Sequence, residues 1–336
     1  MPQLPKDNRT ILITGGAGFI GSNFIQLFLT KNLRYNIINL DKLTYAGSLG
    51  NTAAFQNNHR YIFVRGDICD NSLVEGLFLK YKISGVIHFA AESHVDNSIS
   101  SPATFIDSNI KGTFTLLEMA RKCWKGDCHR FHHISTDEVF GSLGDTGYFT
   151  ENSKYEPNSP YSASKASSDF LVRSYYHTYG MNVVTSNCSN NFGPNQHNEK
   201  LIPTIIRTAI SGQEIPIYGK GENVRDWLYV EDHCEGINTI FFKGKTGETY
   251  LLGGNNEYDN LTIANKICLK LDILKPKRSG SYKDQINFVK DRAGHDYRYA
   301  IDASKSNNEL GWKAKEEFDS ALDKTIDWYL NKYQDI

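Results

Sequence analysis

A hydroxyl, two carboxyls, a phenol and an ammonium are concentrated between residues 136 and 165, at spacings that could move protons. Thr136, Asp137 and Glu138 follow the run Phe131-His132-His133-Ile134-Ser135 and lead into Val139-Phe140-Gly141. A short buried strand is therefore expected to run out into three groups able to bind or transfer protons. Farther on, Ser159 is suited to cap a helix and Pro160 to occupy its first position, where a missing N–H is no loss. Tyr161 and Lys165 then stand one turn apart on one face. An ammonium beside a phenol favours the ionised form, so Lys165 is expected to lower the pKa of Tyr161. Taken alone, a Tyr/Lys pair or an Asp-Glu turn says little; its meaning depends on what the rest of the chain binds.

The beginning of the chain supplies that context. Thr10-Ile-Leu-Ile-Thr14 reads as an apolar strand, followed by Gly15-Gly16-Ala17-Gly18-Phe19-Ile20-Gly21 and then a helical pattern from Asn23 to Leu29. Glycines at 15, 18 and 21 allow a tight turn, close approach of backbone to a pyrophosphate, and close packing of helix on strand. A second strand, Ile37-Ile-Asn-Leu40, ends at Asp41, where a carboxylate can bind ribose hydroxyls and would repel a 2′-phosphate. NAD rather than NADP is the expected cofactor.

Strand-like segments continue at Tyr61–Val64, Val86–Phe89, 131–135 and Asn182–Thr185, with helical patterns at 72–81, 106–122 and 161–178 between them. That alternation predicts an α/β fold, a doubly wound parallel (Rossmann) sheet. Ligands in such sheets sit outside the carboxyl ends of the strands. Asp67-Ile68 after the third strand can then reach an adenine, and Ala90-Ala91-Glu92-Ser93-His94 after the fourth runs along the cofactor. Past residue 190 the alternation loosens, and Ser189–Pro194, Glu199–Pro203, Pro216–Gly219 and Arg225-Asp226-Trp227 suit a lid over a sugar nucleotide, the arginine by bidentate contact with phosphate. A last strand and helix are expected around Glu248–Leu252 and Leu261–Leu271. The expected division is a cofactor domain of residues 1–190 plus about 225–253, and a smaller mixed lobe of about 191–224 and 254–336. No internal repeat or low-complexity linker separates them.

Across 336 residues, 37 Lys and Arg balance 38 Asp and Glu, so charge suggests neither nucleic acid nor a membrane surface as partner. The sequence shows no secretion signal and no run of eighteen apolar residues, which points to the cytoplasm, where six scattered cysteines are expected as thiols. Cys123, Cys128, His129, His132 and His133 are metal-ligand types, yet no Cys-x-x-Cys is present and consecutive strand histidines face opposite ways, so no metal site is expected.

Taken together, Gly15-x-x-Gly18-x-x-Gly21, Thr136 and Tyr161-x-x-x-Lys165 resemble the extended short-chain dehydrogenase/reductase superfamily. Within it, Ser135-Thr-Asp-Glu-Val-Phe-Gly141, Ala90-Ala-Glu-Ser-His-Val-Asp96 and Asp291-Arg292-x-Gly294-His295-Asp296 are similar to the nucleoside-diphosphoglucose 4,6-dehydratases, a likeness running from about Thr10 to the last helix. The resemblance implies an active site of Thr136, Asp137, Glu138, Tyr161 and Lys165. The cofactor set expected is Gly15, Gly18, Phe19, Ile20, Gly21, Asp41, Lys42, Leu43, Thr44, Asp67, Ile68, Ala90, Ala91, Glu92, Ser93, Ser108, Tyr161, Lys165 and Asn191. Substrate contacts are expected from His94, Thr136, Asn190, Lys200, Leu201, Pro216, Ile217, Tyr218, Arg225, Asn260, Asp291, Arg292, Ala293, Gly294 and His295. The resemblance also implies a homodimer joined through the helices at 106–122 and 161–178. Ala293, Asn97 and Phe192 stand where the family usually has proline, arginine and tyrosine.

The implied reaction is an NAD-dependent loss of water from a nucleoside-diphosphoglucose, thymidine-linked in the first place and uridine-linked as the alternative. Tyr161 takes the 4-hydroxyl proton as C4 is oxidised, Glu138 removes the C5 proton made acidic by the new ketone, and a protonated Asp137 serves the departing 6-hydroxyl. A nucleotide-sugar 4-epimerase would share the cofactor turn, Thr136 and the Tyr/Lys pair, but has no use for an acid/base pair that eliminates water.

Overall fold

The computed structural model describes residues 4–126 and 128–333; the outermost residues of the expected domain bounds, 1–3 and 334–336, lie outside these. Its strands are β1 (Arg9–Thr14), β2 (Tyr35–Asp41), β3 (Tyr61–Arg65), β4 (Ile83–His88), β5 (Arg130–Thr136), β6 (Val183–Cys188), β7 (Asn190–Phe192), β8 (Ile215–Tyr218), β9 (Val224–Tyr229), β10 (Thr249–Leu252), β11 (Glu257–Asp259) and β12 (Ile286–Val289). Seven of them form a sheet in the order β10-β6-β5-β4-β1-β2-β3, every neighbouring pair parallel. This is the doubly wound sheet expected from the alternation of strand and helix patterns. The order reverses between β1 and β4, and a crevice opens there at the carboxyl ends of the strands.

The central strands are apolar on both faces because helices cover both. Ile11 and Ile13 point into one buried cluster with Phe24 and Phe28 of the helix Phe19–Lys31, whereas Leu12 points the other way, against Val74, Leu116 and Val172. Truncating Leu12, which is fully buried, to alanine would cost about 2–5 kcal/mol.

Two smaller sheets complete the fold: β11-β9-β7, of which Asn190 and Asn191 of β7 reach the crevice, and β8 paired in parallel with β12. The expected last strand, β10, joins the edge of the large sheet, and the helix after it spans Asn260–Leu274. The helical pattern expected at 106–122 is not one α-helix. It begins at Pro102, widens to a π-helical stretch over Ile106–Lys111, and continues as an α-helix over Gly112–Cys123. Within the widened turn, Asn109 reaches across to the backbone N–H of Glu92 and to Ser164 Oγ, both at 2.8 Å. Such widened turns are common at functional sites.

Among the described residues, no helix is long and apolar enough to cross a membrane. His132 and His133 face opposite ways, towards Ser186 and Asp169 respectively, and among the described residues no group of three His, Cys, Asp or Glu residues is placed to hold a metal.

Candidate active site

The turn after β1 opens the crevice. Gly15 has φ +73°, and a Cβ there would lie 2.7 Å from the backbone nitrogen of Ala90. A Cβ on Gly21 would meet Gly15 O at 2.4 Å, so side chains at either position would push the helix Phe19–Lys31 off the strand. No side chain caps that helix, whose first N–H groups and positive dipole end are left for an anion. Asp41, last residue of β2, accepts from the Ala17 and Leu43 backbone N–H groups at 2.9 and 2.8 Å. Two bonds leave carboxylate lone pairs to spare for hydroxyls. Glycine cradle, bare helix end and strand-end carboxylate together fit a dinucleotide without a 2′-phosphate.

From this turn a cavity of about 300 Å³ runs along the strand ends to Tyr161. Gly15, Gly18, Phe19, Ile20, Gly21, Asp41, Lys42, Thr44, Asp67, Ile68, Ala90, Ala91, Glu92, Ser93, Ser108 and Asn191 line it, with Thr136, Asp137, Glu138, Tyr161, Lys165, Asn190 and Lys200. Lys42 pairs with Asp67 at 2.7 Å. Leu43 is absent from the lining; it contributes its N–H to Asp41 instead.

β5 delivers the acidic group as expected, with Thr136 its final residue and Asp137–Phe140 a 3-10 turn. Thr136 Oγ1 donates to Asp137 Oδ1 and accepts from the Glu138 N–H, both at 3.3 Å. Asp137 is 1% exposed, and its Oδ2 has no hydrogen-bond partner. Burial and the neighbouring Glu138 carboxylate push it well above the usual carboxylate range, which favours its protonated form. Glu138 is raised by burial too, but Lys200, Arg292 and Arg225 pull it back. Two adjacent carboxyls thus share an upward push from burial, which nearby positive charges oppose more strongly at Glu138.

Ser159 caps the helix Pro160–Tyr179 in a reciprocal box with Ser162, each backbone N–H bonding the other's hydroxyl at 3.0 Å. This fixes the register that buries Tyr161 and Lys165 on one stripe. The expected lowering of the Tyr161 pKa does not appear. Burial, then the Glu138 carboxylate, push the phenol well up, while the Lys165 ammonium donates to Ile134 O at 2.8 Å. Burial brings Lys165 itself down to about 8.

The remaining expected substrate residues stand outside this cavity. Arg225, expected to contact phosphate bidentately, has its guanidinium donating to the carbonyls of Val224, Asp296 and Tyr297 and lying over the Tyr299 ring at 4.3 Å. A buried guanidinium must satisfy its donors, and nearby carbonyls do so. Ile217 turns its side chain into the core, since alternate residues of β8 face inward, while Pro216 and Tyr218 face out. Tyr218 OH lies 3.4 Å from Asp96 and its ring meets His295, which is held by Asp291 at 2.6 Å. Arg292 Nε is buried without a partner, a donor free for an anion, on the loop that carries Ala293 and Gly294. His94 caps the helix Val95–Ser100 through Asn97 and lies 3.9 Å from Glu199. Leu201 starts the helix Leu201–Ile210 and Asn260 the helix Asn260–Leu274. Phe192 is buried against Trp227, Tyr229 and Phe318.

Glu199, Gln196, His197, Ser189 and Cys188 also line the cavity and were not among the expected site residues. For Glu199 there was a signal, its place beside Lys200 in the lid segment; its Oε1 is buried without a partner. Cys188 carries no sequence signal, because it is an ordinary small buried residue of a strand until the sheet is assembled.

Comparison with known proteins agrees with this geometry. Residues 12–325 match the family described as GDP-mannose 4,6 dehydratase. A dTDP-glucose 4,6-dehydratase of Xanthomonas campestris pv. campestris is 52% identical over 328 residues, 96% of this chain and 93% of that one. The fold is similar to the crystal structure of dTDP-glucose 4,6-dehydratase from Bacillus anthracis in complex with NAD, at 43% identity and a TM-score of 0.87 over 97% of this chain and 98% of that one. It is also similar to the Streptomyces venezuelae dTDP-glucose 4,6-dehydratase with NAD and TYD bound, at 42% identity and a TM-score of 0.90 over the same shares. On the strength of the match across nearly its whole length, this chain belongs to the GDP-mannose 4,6 dehydratase family.

Proposed function

We propose that this chain converts dTDP-glucose to dTDP-4-keto-6-deoxyglucose, as an NAD-dependent hydro-lyase of deoxysugar biosynthesis. The observation that carries the reading is the pair Asp137 and Glu138, lining one cavity with Tyr161, with Asp137 pushed well up by burial and Glu138 raised but opposed by the charges of Lys200, Arg292 and Arg225. Such a pair suits the elimination of water, which a 4-epimerase never performs. The relatives from Xanthomonas, Bacillus and Streptomyces support thymidine as the base.

Gly15, Gly18, Phe19, Ile20, Gly21 and Asp41 would hold the pyrophosphate and adenosine ribose, with Asp67 and Ile68 at the adenine. Bound NAD⁺ supplies a hydride acceptor for C4, a hydride store for return to C6, and a positive ring that can bring the raised phenol of Tyr161 down. Tyr161 then takes the 4-hydroxyl proton, with Thr136 and Lys165 orienting it. With C4 a ketone, the C5 proton is acidic; Glu138 takes it while Asp137 gives its proton to the 6-hydroxyl, and water leaves. Lys200 and Arg292 place positive charge beside Glu138, which favours the ionised form a base needs.

In this reading the cofactor is held by residues 1–190 with about 225–253, and the sugar nucleotide by about 191–224 and 254–336, including Asn190 at the border. The reading includes a cytoplasmic location and a homodimer through the helices around 106–122 and 161–178, which present Ile106, Phe114, Phe170 and Tyr179 to solvent in the single chain. The test is incubation of purified protein with dTDP-glucose and, separately, UDP-glucose, with products identified by mass. Loss of one water from dTDP-glucose is expected; recovery of an isomer of unchanged mass from either sugar would replace this reading by an epimerase.

A further inference from the structure

Behind the Tyr161/Lys165 pair the same helical stripe carries a third polar residue, Asp169, one turn past Lys165. It is 4% exposed. Its Oδ2 accepts three hydrogen bonds, from Ser135 Oγ at 2.9 Å, Tyr155 OH at 3.1 Å and Asn187 Nδ2 at 3.2 Å. Its Oδ1 accepts none; His133 Nε2 lies 3.1 Å away, out of line for a hydrogen bond. An asparagine amide oxygen could satisfy the same three donors, so hydrogen bonding alone does not account for a carboxylate. What distinguishes the carboxylate is charge, and a buried charge needs a counter-charge.

The groups around it identify that counter-charge. His133 on β5 and His88 beyond it are buried and held neutral, well below the usual histidine range. Tyr155 and the Cys188 thiol are uncharged, both pushed up by burial. Lys165, one helical turn before Asp169 on the same buried stripe, is the cation whose charge acts on Asp169, and the Asp169 carboxylate in turn favours the ammonium form of Lys165. The hydrogen bonds point the same way: Asn187 Nδ2 bridges Asp169 and the carbonyl of Thr136, and Ser135 is the residue before Thr136.

We propose that Asp169 is a positioning residue for the reaction: its carboxylate keeps Lys165 an ammonium inside a water-poor site, and through Ser135 and Asn187 it fixes the end of β5 from which Thr136 and Asp137 project. This rests on the assignment of Tyr161 and Lys165 to C4 oxidation. The test is single-turnover oxidation of dTDP-glucose by the holoenzyme, followed by the absorbance of the reduced cofactor across pH, in wild type, Asp169→Asn, Tyr155→Phe and Lys165→Met. In Asp169→Asn the alkaline limb should move down by on the order of one pH unit, so that above the limb the rate falls about tenfold further than on the acid side. Tyr155→Phe removes one donor but no charge, and should keep the wild-type profile. An unmoved limb in Asp169→Asn, or a loss equal at every pH, would overturn the proposal. If Asp169→Asn does not fold, Lys165→Met/Asp169→Asn should recover thermal stability because no unpaired charge remains; no recovery would assign Asp169 to hydrogen bonding alone and equally overturn it. Unchanged C4 oxidation in Lys165→Met would instead sink the underlying assignment.

Discussion

Replacing Asp137 by asparagine separates the chemistry of this carboxyl from its shape. The side chain is buried, touches Thr136 Oγ1 through one long bond of 3.3 Å, and leaves Oδ2 without a partner. Burial favours its neutral form, so a neutral amide of the same size should cost the fold no more than one weak hydrogen bond, about 1 kcal/mol. What the amide cannot do is deliver a proton. A general acid is worth roughly 10²–10⁴ in rate, about 3–5 kcal/mol on the barrier to water loss. C4 oxidation uses Tyr161 and should survive, so a single turnover with dTDP-glucose should accumulate reduced cofactor on the enzyme instead of consuming it. Glu138→Gln should also stop water loss and, with the base gone, suppress exchange of the C5 proton with solvent. Tyr161→Phe should prevent reduced cofactor from appearing at all. Dehydration by Asp137→Asn and Glu138→Gln at wild-type rates would refute the acid/base assignment and leave the pair as an ordinary buried turn.

Other outcomes follow from particular contacts. Asp41→Ala removes the acceptor that ribose hydroxyls require and the charge that repels a 2′-phosphate, so NAD should bind more weakly and the gap to NADP narrow in a titration of both; an unchanged preference would reduce Asp41 to a strand-end residue. Gly21→Ala puts a methyl 2.4 Å from Gly15 O and should weaken NAD binding by on the order of tenfold or more, about 1.4 kcal/mol, measured by cofactor retention on desalting. Glu138 must be ionised to act as a base, and its pKa is raised, so dehydration should decline as pH falls through a value above the usual carboxylate range. Arg292→Gln removes one charge that opposes that rise and should shift the acid limb of the kcat profile upward by up to about one unit; a limb that stays put would mean Arg292 acts on the nucleotide alone.

The sheet and the cofactor turn were legible in the sequence because their signals are local. Period, glycine spacing and the cap at Ser159 are all read within a dozen residues, and the strand-end residues follow once the sheet is parallel. The second lobe was far less legible. β7 and β11 are three-residue strands whose partner is β9, and strands so short acquire their identity from pairing across the chain rather than from pattern. Arg225 illustrates the same limit: its type suggested phosphate, while its partners, the carbonyls of Val224, Asp296 and Tyr297, exist only once β9 meets the 296–298 segment. The Tyr161 phenol failed for an electrostatic reason. Spacing places Lys165 beside it, but the degree of burial and the Ile134 carbonyl that takes the ammonium are products of the assembled core.

The central claim is that hydride leaves C4, is kept, and returns to C6 of the same sugar after water is lost. dTDP-glucose carrying deuterium at C4 tests it directly. Product one water lighter, with the deuterium located at C6 by mass and NMR analysis, is the expected result. Deuterium released in free reduced cofactor, or retained at C4 of a sugar of unchanged mass, would contradict the account.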